Sequence, residues 1–339
     1  MNSIASVLIV DDEPAVRDLM ARWVTALGLR AQTADSAEGA LAAMRTRHFD
    51  LAVVDVMMPG HDGLWLAAEM TRDHPDTAVV IATAYAELLA RDAAHAPIAD
   101  LLIKPFQRER FGLAVDRGQQ WHKKVLDESR WHAVLSIELR DRTEQVCALT
   151  RRRVLTGMTE EDALAAFATE RIPETAAHGD RVARYAQLTA RELGAEDALG
   201  DGLAIAARFH DVGKAAMPEA ILAKPSPLTP GEATIMRQHV EAGARILESS
   251  ATLAHSAPLV RASHEWFGGT GYPMALCGSD IPFGSRIIAV ADAYDAMTQD
   301  RSYRDHFSST DAVDELLRCT PAQFDPAVVA AFLCALGRH

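Results

Sequence analysis

No C-x-x-C pair occurs among the four cysteines, Cys147, Cys277, Cys319 and Cys334. That absence removes a thiol-based zinc knot and a redox pair, and leaves free thiols suited to a reducing cytosol. No apolar run approaches the roughly 20 residues that span a bilayer. The amino terminus, Met1-Asn2-Ser3-Ile4, lacks the basic and long apolar regions of a secretion signal. A cytoplasmic protein without membrane insertion is expected. Basic residues are in deficit: 34 Lys and Arg stand against 47 Asp and Glu, a formal charge of −13. A nucleic-acid-coating surface is therefore not expected, although a local basic pocket fits that balance. There is no internal repeat, no low-complexity tract and no Gly-rich phosphate loop. At 339 residues the chain exceeds one ordinary core, and two domains are expected.

What the first hundred-odd residues do have is alternation. Ser6–Val10, Leu29–Thr33, Leu51–Val54, Ala78–Ala82 and Leu101–Ile103 are short apolar runs of strand type. Glu13–Leu27 and Ser36–Arg47 carry apolar residues at helical spacing. Alternating β and α units imply a doubly wound, five-stranded parallel sheet. Such sheets bind ligands at the carboxyl ends of their strands. There the chain places Asp11 and Asp12 after the first strand, Asp55 after the third, Thr83 after the fourth and Lys104 after the fifth. Three carboxylates that close repel one another unless a hard cation such as Mg²⁺ lies between them. The hydroxyl and the ammonium suit an anion beside it.

The VDDE, DVMMPGHDG, IATAY and LIKPF stretches resemble the receiver domain of bacterial two-component response regulators, over residues 4–118. The resemblance implies Asp55 as phosphoacceptor and Asp11 and Asp12 as its partners on Mg²⁺. It also implies Thr83 and Lys104 as phosphoryl contacts and a sensor histidine kinase as phosphodonor. Receivers often place Tyr or Phe three residues before the lysine; here Leu101 stands there.

Residues 119–165 form a polar connector of helical propensity. Trp131, Leu135, Leu139, Arg142, Val146 and Leu149 step by four and three, a heptad seam interrupted by the arginine. A connector helix that dimerises the chain is expected; a single helix packed on one domain is the alternative. Gly157 and Thr159 mark the break before the next helix.

Beyond that break the strand signal fades. Thr229-Pro230-Gly231-Glu232 reads as a helix start with a capping box, and Arg286–Met297 and Thr310–Leu317 as further helices, so an all-α bundle is expected. In such bundles metal sites are built from inward side chains. The ligand types are there: Glu174 and His178 one helical turn apart, adjacent His210 and Asp211, then His239, His264 and Asp292, followed by the basic pair Arg301 and Arg304. A carboxylate such as Asp211 can bridge two ions, whereas an imidazole cannot. Nitrogen and oxygen donors without sulfur suit Fe, Mn, Ni or Zn. The inventory is large enough for two or more ions and suits hydrolysis of a phosphodiester.

The stretches HDVGKAAMPEAILAKPSPLTPGE, HEWFGGTGYP, IPFGSRIIAVADAYDAM and RSYR resemble the HD-GYP branch of the HD phosphohydrolases, over residues 166–339. The resemblance implies a two- or three-metal phosphodiesterase, with Fe or Mn, acting on a cyclic dinucleotide, chiefly cyclic di-GMP. Glu174, His178, His210, Asp211, His239, His264 and Asp292 match its metal ligands, and Asp211 and Lys214 its catalytic positions. Arg301 and Arg304 match residues that hold substrate phosphate, and Tyr272 lies in the signature loop at the pocket mouth. The chain departs from the family where Ser263 replaces a usual histidine ligand, Gly268 a common Asp and Ser302 a usual proline. The missing imidazole keeps a second expectation open: a catalytically weak domain that senses cyclic dinucleotide or binds a protein partner.

Overall fold

Strands β1 (Ser6–Val10), β2 (Arg30–Ala34), β3 (Leu51–Asp55), β4 (Ala78–Thr83) and β5 (Ile98–Ile103) pair in parallel in the order β2-β1-β3-β4-β5. The computed structural model describes residues 5–84, 97–299 and 308–337. Helices α1 (Pro14–Ala26), α2 (Ala37–Thr46) and α3 (Gly63–Asp73) connect successive strands. Side chains alternate across a strand with period two, so one sequence serves two layers. Leu8, Val10, Ala52, Val54, Val79 and Ile81 pack against Ala40 and Met44 of α2 and Leu66 and Met70 of α3. Val7, Ile9, Val53, Val80 and Leu102 pack on the other face, against Met20 and Val24 of α1 and Phe111, Ala114 and Val115. Covering both faces is why the central strands are continuously apolar.

The chain divides into two compact units, residues 1–131 and 132–339. Helix α4 (Arg108–Leu155) begins in the first and ends in the second. Residues 119–155 of the expected connector lie in this helix, and its apolar stripe is divided: Trp131 and Leu149 are exposed. Leu135, Leu139 and Val146 are buried in the apolar clusters of the second unit, the packing that a helix laid on one domain requires. An apolar stripe has the same spacing whichever surface covers it.

The second unit is helical: α5 (Glu160–Arg171), α6 (Pro173–Glu192), α7 (Glu196–Phe209), the short α8 (Glu219–Leu222), α9 (Pro230–Arg237), α10 (His239–Glu248), the short α11 (Ala257–Arg261), α12 (Phe283–Thr298), α13 (Ser309–Arg318) and α14 (Pro326–Ala335). The Thr229 cap is a full capping box, with Glu232 returning a bond to the Thr229 backbone. Thr159 caps α5 after the break at Gly157. Val182, Ala186 and Ala190 of α6 form one core with Leu203 and Ala206 of α7, Ile287 and Ala291 of α12, and Val329 and Phe332 of α14. Small residues at the α6–α7 contact let the two backbones approach closely, and that approach positions the site.

Candidate metal centre

Two glycines set the distances between the elements that carry the ligands. A β-carbon on Gly179 would stand 2.1 Å from the Arg208 carbonyl oxygen. Only glycine lets α6 lie that tightly against the end of α7, which brings His178 beside His210. A β-carbon on Gly213 would stand 1.9 Å from the His239 carbonyl oxygen. Gly213 lies in the 3-10 turn Val212–Ala216 that follows Asp211, so its bareness seats the start of α10 on that turn.

Six of the seven predicted ligands come together in two groups. In each, the ligand atoms lie within 4.8 Å of one another: His178, His210 and Asp292 form one, and Asp211, His239 and His264 the other. Asp292 Oδ1 is 3.0 Å from His178 Nε2 and 3.6 Å from His210 Nε2. Asp211 joins the groups, with Oδ2 3.7 Å from His210 Nε2 and Oδ1 3.3 Å from His239 Nε2. His239 Nε2 lies 3.2 Å from His264 Nε2. Glu174 belongs to neither group and lies exposed in the first turn of α6. Arg301, Arg304 and Ser302 lie outside the described residues.

The imidazoles are oriented from behind. His210 Nδ1 donates to the Ala207 carbonyl oxygen at 2.8 Å, and His239 Nδ1 to that of Met236 at 2.8 Å. Both therefore turn Nε2 toward the cluster. His210 Nε2 and Asp211 Oδ1 are buried and make no hydrogen bond. Buried polar atoms without partners are costly, and nitrogen and oxygen donors converging on one point suit divalent ions.

Charge is unevenly held. Burial pushes the Asp211 carboxyl up, but Lys214, His210 and His239 outweigh it and hold it well below the usual range. Burial acts likewise on Asp292, and His178, 3.0 Å from its Oδ1, together with nearby His210 overcomes it. His264 is pulled down to about 4 by burial and by neighbouring His239.

Ser263, at the position of the missing imidazole, is buried and donates to the Val260 carbonyl oxygen at 2.8 Å. In the signature loop, the Tyr272 ring stacks on His264, 5.2 Å between centroids and 9° from parallel. The roles of four residues escaped sequence reading. Asp295, one turn after Asp292, backs His178. Arg181, three residues after His178, holds Asp295. Glu265 accepts from the backbone N–H groups of Met274 and Leu276 and pins the loop. The Arg237 guanidinium lies 5.3 Å from the Tyr272 ring centroid. The spacing of Asp295 and Arg181 from predicted ligands was their only signal.

In the first unit, Asp11, Asp12 and Asp55 form a third group, of carboxylates alone. Lys104 Nζ lies 2.8 Å from Asp11 Oδ2 and 3.1 Å from Asp55 Oδ2. Thr83 is buried at the end of β4. Burial pushes the Asp55 carboxyl above its ordinary value, with Lys104 opposing.

The HD domain profile matches residues 139–328 and the response regulator receiver domain profile residues 7–116. A cyclic di-GMP phosphodiesterase of Thermotoga maritima is 30% identical over 335 residues, covering 97% of this chain and 89% of that one. A cyclic di-GMP phosphodiesterase response regulator of Xanthomonas campestris pv. campestris is 29% identical over 343 residues, covering 97% and 87%. A 3'3'-cGAMP-specific phosphodiesterase of Vibrio cholerae is 40% identical over 162 residues, 47% of this chain and 31% of that one. Among the described residues no helix is long and apolar enough to cross a membrane.

Proposed function

The chain belongs to the HD domain family and carries a response regulator receiver domain ahead of it, and on that premise we propose that it hydrolyses cyclic di-GMP under the control of phosphorylation at Asp55. The relatives aligned over nearly the whole chain bear that activity in their names. The observation that carries the chemistry is the pair of adjoining donor groups with His210 Nε2 and Asp211 Oδ1 buried and unbonded.

His178, His210 and Asp292 would hold one divalent ion, and Asp211, His239 and His264 a second, with Asp211 shared between them. Glu174 is left for a third. Iron or manganese fits the donors. Such ions make water nucleophilic near neutral pH and neutralise phosphate oxygens. Lys214, beside Asp211, stabilises negative charge as the phosphorus–oxygen bond breaks. Tyr272, stacked on His264, borders the substrate, and Arg301 and Arg304 are assigned to its phosphates. In the receiver, Asp11 and Asp12 would hold Mg²⁺ with Asp55, and Thr83 and Lys104 would contact the phosphoryl group supplied by a kinase.

The test is direct. The full chain loaded with Mn(II) or Fe(II) is incubated separately with cyclic di-GMP and 3'3'-cGAMP, and products are separated by chromatography. Linear dinucleotide or GMP from cyclic di-GMP, absent in Asp211→Ala, is expected. A second reading, a sensor of weak or no turnover, is favoured by Ser263, whose hydroxyl is committed to Val260. Nucleotide binding without turnover under every metal supports it. On the hydrolase reading, Ser263→His raises metal occupancy or rate.

A further inference from the structure

Within the cluster, His178, His210 and His239 are not held alike at Nδ1. His210 and His239 donate from Nδ1 to backbone carbonyls. His178 instead places Nδ1 2.6 Å from Asp295 Oδ2, a carboxylate on α12 that is fully buried. Asp295 is itself gripped from α6: Arg181 Nε is 2.7 Å from Oδ1 and Nη2 is 2.9 Å from Oδ2. Such a two-point fork fixes the plane of the carboxylate as well as its position. Arg181 lies one turn beyond His178, so one helix supplies both the ligand and the clamp that holds its partner. Asp295 lies one turn beyond Asp292, so α12 likewise supplies a ligand and a brace.

We propose that Asp295, clamped by Arg181, is a positioning residue that fixes the His178 ring with Nε2 toward the cluster and so gives the His178–His210–Asp292 site firmer hold on its ion than the Asp211–His239–His264 site. The inference rests on the metal reading above. For Nε2 to offer a lone pair, the ring proton must sit on Nδ1, and an anionic acceptor at that atom selects this tautomer and makes Nε2 the stronger donor. A carbonyl does so more weakly. Asp295 touches neither ion nor substrate and acts only through His178.

Mn(II) is titrated into the chelator-treated full chain, with stoichiometry and affinities read by calorimetry and counted by metal analysis, for the wild type, Asp295→Asn, Asp295→Glu and Arg181→Gln. The wild type should take up at least two ions. Asp295→Asn should weaken one of them about 10- to 100-fold and spare another. Asp295→Glu should recover part of the loss, and Arg181→Gln should weaken the same ion to a lesser degree. Thermal melts of the metal-free variants separate positioning from folding. A melt lowered with all affinities falling together means Asp295 only ties α6 to α12, and overturns the proposal. Unchanged affinities in Asp295→Asn overturn it too, while leaving the hydrolase reading intact. A wild-type chain that takes up no Mn(II) overturns both.

Discussion

Lys214 Nζ sits 2.6 Å from Asp211 Oδ2, three residues along the same turn. The ammonium thus occupies one carboxylate oxygen of the residue that joins the two donor groups. The other, Oδ1, is left facing His239 Nε2 at 3.3 Å. Oδ2 also faces His210 Nε2 at 3.7 Å, so Lys214 balances the charge of a carboxylate whose two oxygens face the two donor groups.

Lys214→Met should therefore separate metal binding from turnover. The methionine keeps the length of the side chain and removes its charge. Turnover should fall about 10²- to 10³-fold, the loss typical of one group that stabilises transition-state charge, while Mn(II) stoichiometry stays as in the wild type. Loss of metal together with activity would assign the lysine to holding Asp211 in place.

Metal uptake should depend on pH through His178. Burial alone lowers its affinity for protons, but hydrogen bonds to Asp292 and Asp295 outweigh burial and raise it to about 9 from an ordinary 6.5. The metal-free imidazole is thus protonated at neutral pH, and an ion entering there displaces a proton. Apparent affinity at that site should climb about tenfold per pH unit from pH 7 and level off above about 9. His264, held near 4, is already neutral and adds nothing in this range. The sign for stability is opposite. A raised folded-state value stabilises the metal-free protein fully below about 6.5, and that contribution disappears as pH rises through about 9. Calorimetry and melts of chelator-treated protein between pH 6 and 10, in matched buffers, check both slopes.

Phosphoryl transfer to Asp55 should need Mg²⁺. Asp11 and Asp12 crowd Asp55, and Lys104 offsets them. Acetyl phosphate with Mg²⁺ should add one phosphoryl mass to the intact chain, a mass absent in Asp55→Asn and suppressed by chelator. Cyclic di-GMP turnover measured with and without beryllofluoride should differ in the wild type and coincide in Asp55→Asn.

The receiver half was readable in sequence because strands buried on both faces are written as unbroken apolar runs, and its acids fall at their ends. The gathering of six of the seven candidate ligands of the second half was readable because histidines and acids in fixed motifs have few other uses together. The spacing through Leu135, Leu139 and Val146 left their cover open, because burial against the chain's own helices and burial against a partner demand the same spacing. Asp295 was missed because a carboxylate in a helix is usually a solvated one. Its burial comes from Arg181 and His178, which approach from 117 residues or fewer away in sequence only once α6 and α12 pack.

Gly213 offers the sharpest test of how backbone contact sets the cluster. A β-carbon there would meet the His239 carbonyl oxygen at 1.9 Å and the Gly243 nitrogen at 2.5 Å. Both are backbone atoms of α10, so no side chain can rotate away to make room; the helix must shift, and His239 is its first residue. Gly213→Ala should lose about 1–3 kcal/mol or more, as overpacked cores do, and lower melting by about 2–4 °C for each kcal/mol. It should also weaken Mn(II) binding, because moving His239 separates it from Asp211. Gly112→Ala is the matched control: it lies in helix α4 with nothing within 4 Å of the added carbon. There the same methyl should leave both melting and metal affinity unchanged or slightly raise the former. Wild-type metal affinity in Gly213→Ala would mean that His239 reaches the cluster by some route other than its seat on this turn.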